Sequence, residues 1–197
     1  CVMLMISGCN VWVAMLGAVI AGMLAGLMTG LLHTRCGIPA ILSGILTQLA
    51  LYSVNLRIMA GKANQAISVD KYDLLVSQRY ARDLTLDNPM LIAAVFLAVL
   101  IGILYWFFGT ELGSAVRATG ANSNMSRAQG INTDTMKLVG LVLSNGLVGL
   151  SGALYTQYLG SVTVNMGRGA IVIGLAAVII GEVLLSKVFI NFALKLV

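Results

Sequence analysis

The charged residues of this 197-residue chain are confined to short stretches, and this segregation limits the possible fold more than any other feature. The bilayer hydrocarbon core is about 30 Å thick, and a helix needs roughly 20 apolar residues to cross it. Four of the five longest uncharged runs reach that length, and the charges lie between the runs. The runs are 1–34, 36–56, 88–110, 138–167 and 169–181. The pattern predicts a chain that crosses a membrane several times.

Composition supports this interpretation, because 59% of the residues are hydrophobic and only 10% are charged, against roughly a quarter charged in soluble domains. In lipid, only helices and closed barrels satisfy the backbone hydrogen bonds, and the alternating pattern of barrel strands is absent. We therefore predict an all-α polytopic transmembrane helix bundle, with residues 1–9 belonging to an earlier loop or helix end. The start within an uncharged run, and an end at Val197 that fits neither a loop nor a helix, also lead us to expect a single transmembrane domain truncated at both ends. The predicted spans are 11–32, 39–59, 89–108, 136–159 and 169–186.

Small residues recur at four-residue spacing in three predicted spans, where they would let helix backbones approach closely. They are Gly22, Gly26 and Gly30 in the first span, Asn145, Gly149 and Ala153 in the fourth, and Ala177 and Gly181 in the fifth. We interpret them as helix-packing positions.

Polar side chains inside the spans either bond to neighbouring helices or line a substrate path, because an unpaired polar group in lipid is costly. The sequence leaves both roles open. The candidates for the path are Gln48, Asn55, Ser144, Asn145, Tyr155 and Gln157.

Two long loops separate the spans. Residues 60–88 hold eight charged residues, and the stretch from Val69 to Tyr80 fits a short amphipathic helix on the membrane surface. In residues 109–135, Asn122 is a good N-cap and Gly130 a good C′ residue for a helix over 123–129. A helix this short is marginal in water, so we expect it to dock onto something. An ordinary linker is the plainer alternative.

The side chains of the 123–129 helix are mixed in character. Met125 and Ala128 are able to face a groove, whereas Arg127 is able to reach an acidic partner. Asn132 would cap the following span.

Charge and cysteine content exclude several classes. The net charge of +5 is spread over every loop, which fits anionic lipid rather than nucleic acid. Orientation does not follow from it, because alternation of the spans places six basic residues on each side. Cys1, Cys9 and Cys36 show no C-x-x-C spacing, so neither a disulfide framework nor a metal site is predicted.

Two other functions need weighing. Gly149-Leu-Ser-Gly152 has the form of an intramembrane serine protease site, but the only histidine available as a base is His33. A secondary transporter or channel is the stronger rival, although such proteins often place ionisable residues at midmembrane. Here only Glu182 comes near that position. No Walker A sequence is present, so no cofactor is expected on this chain and any ATP would bind elsewhere.

The loop sequence from Thr110 to Asn132 resembles the signature loop of permeases in the branched-chain amino acid and ribose importer family. That pattern runs G-x-x-x-R-A-x-G-x-N, a few variable residues, then A-x-x-x-G-I-N before the next span. The matching positions are Gly113, Arg117, Ala118, Gly120, Asn122, Gly130 and Ile131. The spans on either side resemble the family in order and spacing, over roughly 11–59 and 89–186.

The resemblance implies a translocation subunit of an ATP-driven (ABC) importer in the bacterial inner membrane. Residues 109–135 would be cytoplasmic, with 123–129 as the coupling helix that docks on a separate ATPase carrying ATP and Mg²⁺. Residues 60–88 would be extracytoplasmic, facing a substrate-binding protein, and a second permease copy would complete a homodimer. Met125, Arg117 and Arg127 would contact the ATPase or anchor the loop.

Within the family, the chain looks closest to amino-acid importers, and we expect an aromatic or branched-chain amino acid as substrate. Glu182 departs from the small Gly/Thr-rich turn usual at this position. It is either a helix-end carboxylate near Lys187 or a contact to the ATPase or the substrate path.

Overall fold

A computed structural model of the chain describes residues 1–62, 64–66, 89–167 and 170–188. The described part is helical apart from one pair of short strands. Its elements are α1 (Val2–Ile6), α2 (Val11–Thr34), α3 (Ala40–Ile58), β1 (Asn64–Ala66), α4 (Pro89–Gly109), α5 (Glu111–Ala121), α6 (Ser123–Ala128), α7 (Thr133–Leu159), β2 (Ser161–Thr163) and α8 (Ala170–Val188). The predicted amphipathic helix from Val69 to Tyr80 lies outside the described residues.

The predicted all-α bundle is confirmed, and α2, α3, α4, α7 and α8 occupy the five predicted spans with ends shifted by a few residues. Among the described residues, three helices (α2, α3 and α7) are long and apolar enough to cross a membrane alone. A fourth span results if α4 and α5, which meet at 82°, are counted together. The described apolar part of α8, Val172–Gly181, is shorter. Five spans is therefore an approximate number.

Helices α2 and α7 form the tightest contact of the described bundle, and glycines make it possible. A Cβ atom on Gly26 would lie 2.5 Å from the carbonyl oxygen of Leu141, and one on Gly149 would lie 2.5 Å from that of Ala18. Gly22 faces the backbone of Asn145 in the same way. The partner numbers fall along α7 as they rise along α2, so the two helices are antiparallel. Close backbone approach replaces the hydrophobic driving force that lipid does not supply.

The contacts at the helix ends define two ends of the bundle. Trp12 at the start of α2 stacks on Phe96 in the first half of α4, with ring centroids 6.3 Å apart. His33 near the end of α2 borders the same groove as Phe107 and Phe108 near the end of α4, so α2 and α4 run in the same direction. We call the end that holds 34–40 and 109–133 the α6 end, and the end that holds 1–10, 59–66 and 160–167 the strand end.

The strand end is tied together by β1 and β2, which pair antiparallel with Gln65 opposite Val162. This pairing joins the chain after α3 to the chain after α7. Gly160 ends α7 with φ +63°, a conformation that glycine adopts without strain, and the chain then enters β2. The predicted spans leave 160–168 as a connection between helices, and the three-residue strand β2 within it is not predicted from the sequence.

Helix α3 joins the bundle through hydroxyl groups. The Thr29 hydroxyl donates to the Thr47 Oγ1 at 3.0 Å, and the Thr47 hydroxyl donates to the Ser43 carbonyl at 2.9 Å. Ser43 is fully buried at this contact. The bond between Thr29 and Thr47 joins two helices, and bonds of this kind contribute about 0.6 kcal/mol in membrane bundles.

Candidate functional site

The short helix α6 forms where the sequence predicts it, and its ends are capped as expected. The Asn122 side chain accepts hydrogen bonds from the backbone N–H groups of Asn124 and Met125, both at 3.1 Å. Gly130 follows the helix with φ +84°, a left-handed conformation that costs other residues about 1–2 kcal/mol. The helix covers Ser123–Ala128, one residue less than predicted.

Helix α6 presents different faces to the protein and to the surroundings. Ser126 is 3% exposed, and its hydroxyl donates to the Asn122 carbonyl at 3.0 Å. Met125 is 60% exposed. A large apolar side chain this exposed, on a helix too short to be stable alone, is available for contact with another surface.

Arg127 turns back onto its own chain. Its Nη2 donates to the Thr133 hydroxyl at 2.9 Å and lies 3.5 Å from the Asp134 carboxylate. Thr133 is 1% exposed at the start of α7. The acidic partner expected for Arg127 is thus found within the chain, and the contact fastens α6 to the first turn of α7.

The segment before α6 differs from the prediction, because it is an eleven-residue helix, α5, rather than a loop. The Thr110 hydroxyl donates to the Phe107 carbonyl at 2.6 Å and accepts from the Gly113 N–H at 3.3 Å, which caps the helix. Glu111 adds a favourable charge in the first turn. The pair Thr110-Glu111 is an N-cap signal that the sequence analysis missed, because it directly follows an apolar run.

Gly113 makes the sharp bend between α4 and α5 possible. A Cβ atom there would lie 2.6 Å from the Phe108 Cα and closer still to the Phe107 carbonyl. Only glycine allows this approach, so its place in the motif has a local structural reason. The other motif positions differ among themselves: Arg117 is half-buried on α5, Ala118 and Gly120 are exposed, and Ile131 is half-buried after α6.

The polar residues predicted for a substrate path do not converge. Gln48 and Asn55 are exposed on α3, and Ser144 and Tyr155 are exposed on α7. Asn145 lies at the α2–α7 contact, where its amide donates to the Leu141 carbonyl at 2.9 Å. Gln157 is fully buried, and neither of its side-chain polar atoms has a hydrogen-bond partner among the described residues.

Glu182 and Ser151 are the two remaining candidates from the sequence. Glu182 lies in the last two turns of α8, and its side chain is outside the described residues. Ser151 and His33 are well separated, because His33 borders the same groove as Lys137 and Ser151 follows Lys137 by fourteen helical residues, or about 21 Å. This separation argues against His33 as a base for Ser151.

A broad groove of about 770 Å³ opens at the α6 end between α4, α5 and α7, and His33, Ala40, Asn122 and Ser123 also border it. We call it the α5 groove and define it by Phe107, Phe108, Val116, Lys137, Gly140 and Leu143. The sequence gives no signal for it, because its walls come from separate helices.

Comparison with known proteins supports the resemblance found in the sequence. Residues 1–197 match the family described as the branched-chain amino acid transport system permease component. A tyrosine transport system permease protein of Clostridioides difficile is 40% identical over 92% of this chain and 58% of its own length. An autoinducer 2 import system permease protein of Yersinia pestis is 26% identical over 90% of this chain and 48% of its own length.

A shorter match, 37% identical over 44% of the chain and 28% of the relative, is to a nucleoside ABC transporter permease protein of Lactococcus lactis. No solved structure gives a significant match. The chain spans about three fifths of the tyrosine relative. A family match over the whole chain, together with the capped α6 between apolar helices, leads to one conclusion: this chain belongs to the family of branched-chain amino acid transport system permease components.

Proposed function

We propose that this chain is the translocation part of an ATP-driven importer of the inner membrane, carrying an aromatic or branched-chain amino acid. A separate ATPase would bind ATP and Mg²⁺, a substrate-binding protein would deliver the cargo, and a second copy of the chain would complete a homodimer. The family match and the apolar helices support a multi-pass inner-membrane protein. The name of the tyrosine relative favours an aromatic amino acid over the nucleoside and autoinducer classes, because its identity to this chain is 40% over 92% of the chain.

The observation that carries the proposal is α6 with its exposed Met125. The helix is capped at both ends, is joined to α7 through Arg127, and presents a free apolar side chain at the α6 end. This arrangement suits a coupling helix that docks in a groove of the ATPase. The α6 end would then be cytoplasmic, and 60–88 with the strand end would be extracytoplasmic.

The contacts also offer a route from α6 to the bundle. Arg127 joins α6 to Thr133 and Asp134 at the start of α7, and α7 packs on α2 through Gly22, Gly26 and Gly149. When the ATPases close on ATP, a pull on α6 would move α7 and α2 together. The bundle would switch between outward-facing and inward-facing states as this pair shifts.

The test replaces Met125 with Glu in the full-length protein, co-expressed with its ATPase. Loss of an apolar contact and burial of a new charge at an interface typically weaken binding by 2 kcal/mol or more, so the amount of co-purified ATPase should fall at least about tenfold. Asn64→Asp is the matched control, because it adds the same charge at an exposed position of β1, at the opposite end of the bundle. Equal recovery of the ATPase by wild type and Met125→Glu would refute the coupling role.

A separate measurement addresses the cargo. The substrate-binding protein that co-purifies with the full-length permease is titrated with tyrosine, phenylalanine, leucine and a nucleoside. We expect it to bind an aromatic amino acid in preference to the nucleoside. Preference for the nucleoside would overturn the substrate class and leave the importer assignment in place.

A further inference from the structure

The α5 groove contains one cation in apolar surroundings, and the function proposed above does not use it. Lys137 is half-buried at the wall of the groove, together with Phe107, Phe108, Val116 and Leu143. Among the described residues, no carboxylate pairs with Lys137, and Asp134, three residues before it, pairs with Arg127 instead. A partly desolvated ammonium without a counter-charge attracts an anion.

The position of the groove indicates where that anion comes from. Helix α7 has 27 residues and is therefore about 40 Å long, longer than the hydrocarbon core of about 30 Å. Lys137 lies in its second turn, at the level of the lipid headgroups. Tyr105 and Trp106, at the end of α4 beside the groove, are 40% and 72% exposed. Exposed tyrosine and tryptophan near a span end are typical of the membrane interface.

The walls of the groove indicate what kind of molecule carries the anion. Its lining is mainly apolar, with aromatic and branched side chains beside Lys137, and its volume of about 770 Å³ is far larger than a free phosphate requires. An amphiphile with a negative headgroup and a hydrocarbon chain matches both the Lys137 cation and the apolar walls of the groove. His33 also borders the groove, but its Nδ1 is committed to the Ile38 carbonyl at 2.8 Å, so Lys137 carries the charge recognition.

We propose that the α5 groove binds an anionic phospholipid of the leaflet at the α6 end, with the headgroup phosphate at Lys137 and an acyl chain along Phe107, Phe108 and Leu143. The site lies between α5 and α7, next to α6. Lipid binding at this site requires only the fold and the bilayer, so the proposal does not depend on the transport function. Bound lipid would fill the space between the α4–α5 bend and α7.

The test measures lipid bound to the full-length protein by native mass spectrometry, with phosphatidylglycerol as the probe and phosphatidylcholine as the comparison lipid. A single lysine near an anionic surface contributes about 1 kcal/mol, so Lys137→Gln should weaken phosphatidylglycerol binding about fivefold. Lys62→Gln is the matched charge control, because Lys62 is exposed at the strand end. It should leave lipid binding unchanged.

A second variant tests the groove itself without changing charge. A Cβ atom on Gly140 would make an ordinary 3.6 Å contact with Val116, and because Gly140 lines the groove, Gly140→Leu should take up part of its space. We expect the same loss of phosphatidylglycerol as in Lys137→Gln. Unchanged lipid binding in either variant, equal affinity for phosphatidylcholine, or full competition by inorganic phosphate would overturn the proposal. So would a change from dimer to monomer in Gly140→Leu with no loss of lipid, because a second copy would then occupy the groove.

Discussion

Single polar side chains in this bundle differ in how their hydrogen bonds are satisfied. Most hydroxyl groups of the described spans donate to the carbonyl one turn earlier, as Ser144 does to Gly140 at 2.8 Å and Thr34 to Gly30 at 2.8 Å. Such bonds satisfy a side chain inside its own helix and leave nothing to recognise a substrate. Gln157 is the exception, since it is fully buried and both amide atoms are unpaired among the described residues.

Replacing Gln157 with methionine separates the structural role from the transport role. An unpaired buried amide costs about 1–3 kcal/mol, so the apolar replacement of similar shape should raise the free energy of unfolding by about 1 kcal/mol. Thermal unfolding in detergent measures this as a higher Tm. Gln48→Met, at an exposed position on α3, is the control and should not change the Tm. A lower Tm for Gln157→Met would mean that the amide has a partner in the folded protein, and lost transport with a higher Tm would place Gln157 on the substrate path.

The glycines of α2 allow the backbone of α7 to come so close that a methyl group in their place would not fit. A Cβ atom on Gly26 would lie 2.5 Å from the Leu141 carbonyl oxygen and 2.9 Å from the Val142 Cα. Because both are backbone atoms, α2 and α7 would have to separate. We expect Gly26→Ala to lower the free energy of unfolding by about 1–3 kcal/mol, as overpacking does elsewhere.

Gly102→Ala is the matched control for this change. Gly102 also lies in the middle of an apolar helix, α4, but no described atom lies within 4 Å of its added Cβ. The control should keep or raise the Tm, since alanine favours helix over glycine. Similar losses in the two variants would show that the α2–α7 contact is not responsible.

At the scale of elements, α6 and the start of α7 behave as one unit because of Arg127. The ion pair with Asp134 is 66% and 56% exposed, and pairs this exposed contribute about 0–1 kcal/mol to stability. The ion pair acts on geometry instead, because it fixes the angle between α6 and α7.

Arg127→Ala should therefore change the Tm little while reducing transport per bound ATPase. The double variant Arg127→Asp with Asp134→Arg should recover part of the loss, because it restores the ion pair but not the bond to Thr133. Transport and ATPase content are measured on the same proteoliposomes. If the double variant transports no better than Arg127→Ala, the ion pair does not orient α6.

The sequence predicts an element well when all of the signals that define it lie within that element. Charge segregation locates the spans, and Asn122 with Gly130 defines α6 to within one residue, because these signals are local. Helix α5 is missed because its cap follows an apolar run without a break, and β2 because a three-residue strand depends on its partner β1, almost a hundred residues earlier.

The candidate site was predicted only in part. The sequence identifies Met125 as a side chain for an external contact, and it is exposed. It also assigns Arg127 to an acidic partner, but it contains no information that this partner is Asp134 of the same chain. That choice depends on the turn through Gly130, which brings the two side chains together.

On the scale of the whole molecule, the pairing of helices could not be read from small residues alone. Three spans contain small residues at this spacing. The α2–α7 contact uses those of two spans, namely Gly22, Gly26, Gly30 and Gly149. In the third span, no described atom lies within 4 Å of a Cβ on Gly181. A stripe of small residues shows that a helix is able to pack closely, and only the tertiary structure selects its partner. Orientation in the membrane is a second property of the whole molecule, and the even distribution of basic residues leaves it open.

Two native cysteines are placed to determine that orientation. Cys9 precedes α2 and Cys36 follows it, both are exposed and free, and the 24 residues of α2 separate them by about 36 Å. They therefore lie on opposite sides of the membrane, with Cys36 at the α6 end. If α6 contacts a cytoplasmic ATPase, a membrane-impermeant maleimide added to intact cells should label Cys9 and spare Cys36.

The experiment uses two variants of the full-length protein, each with Cys1 and any cysteine outside 1–197 replaced by serine and with one further replacement, Cys9→Ser or Cys36→Ser. In cells, the variant that keeps Cys9 should be labelled and the variant that keeps Cys36 should not. After the membrane is permeabilised, both should react, which controls for burial of the thiols. Labelling of Cys36 alone in intact cells would place α6 outside, where no ATPase has access to it, and the proposed coupling role would fail with it.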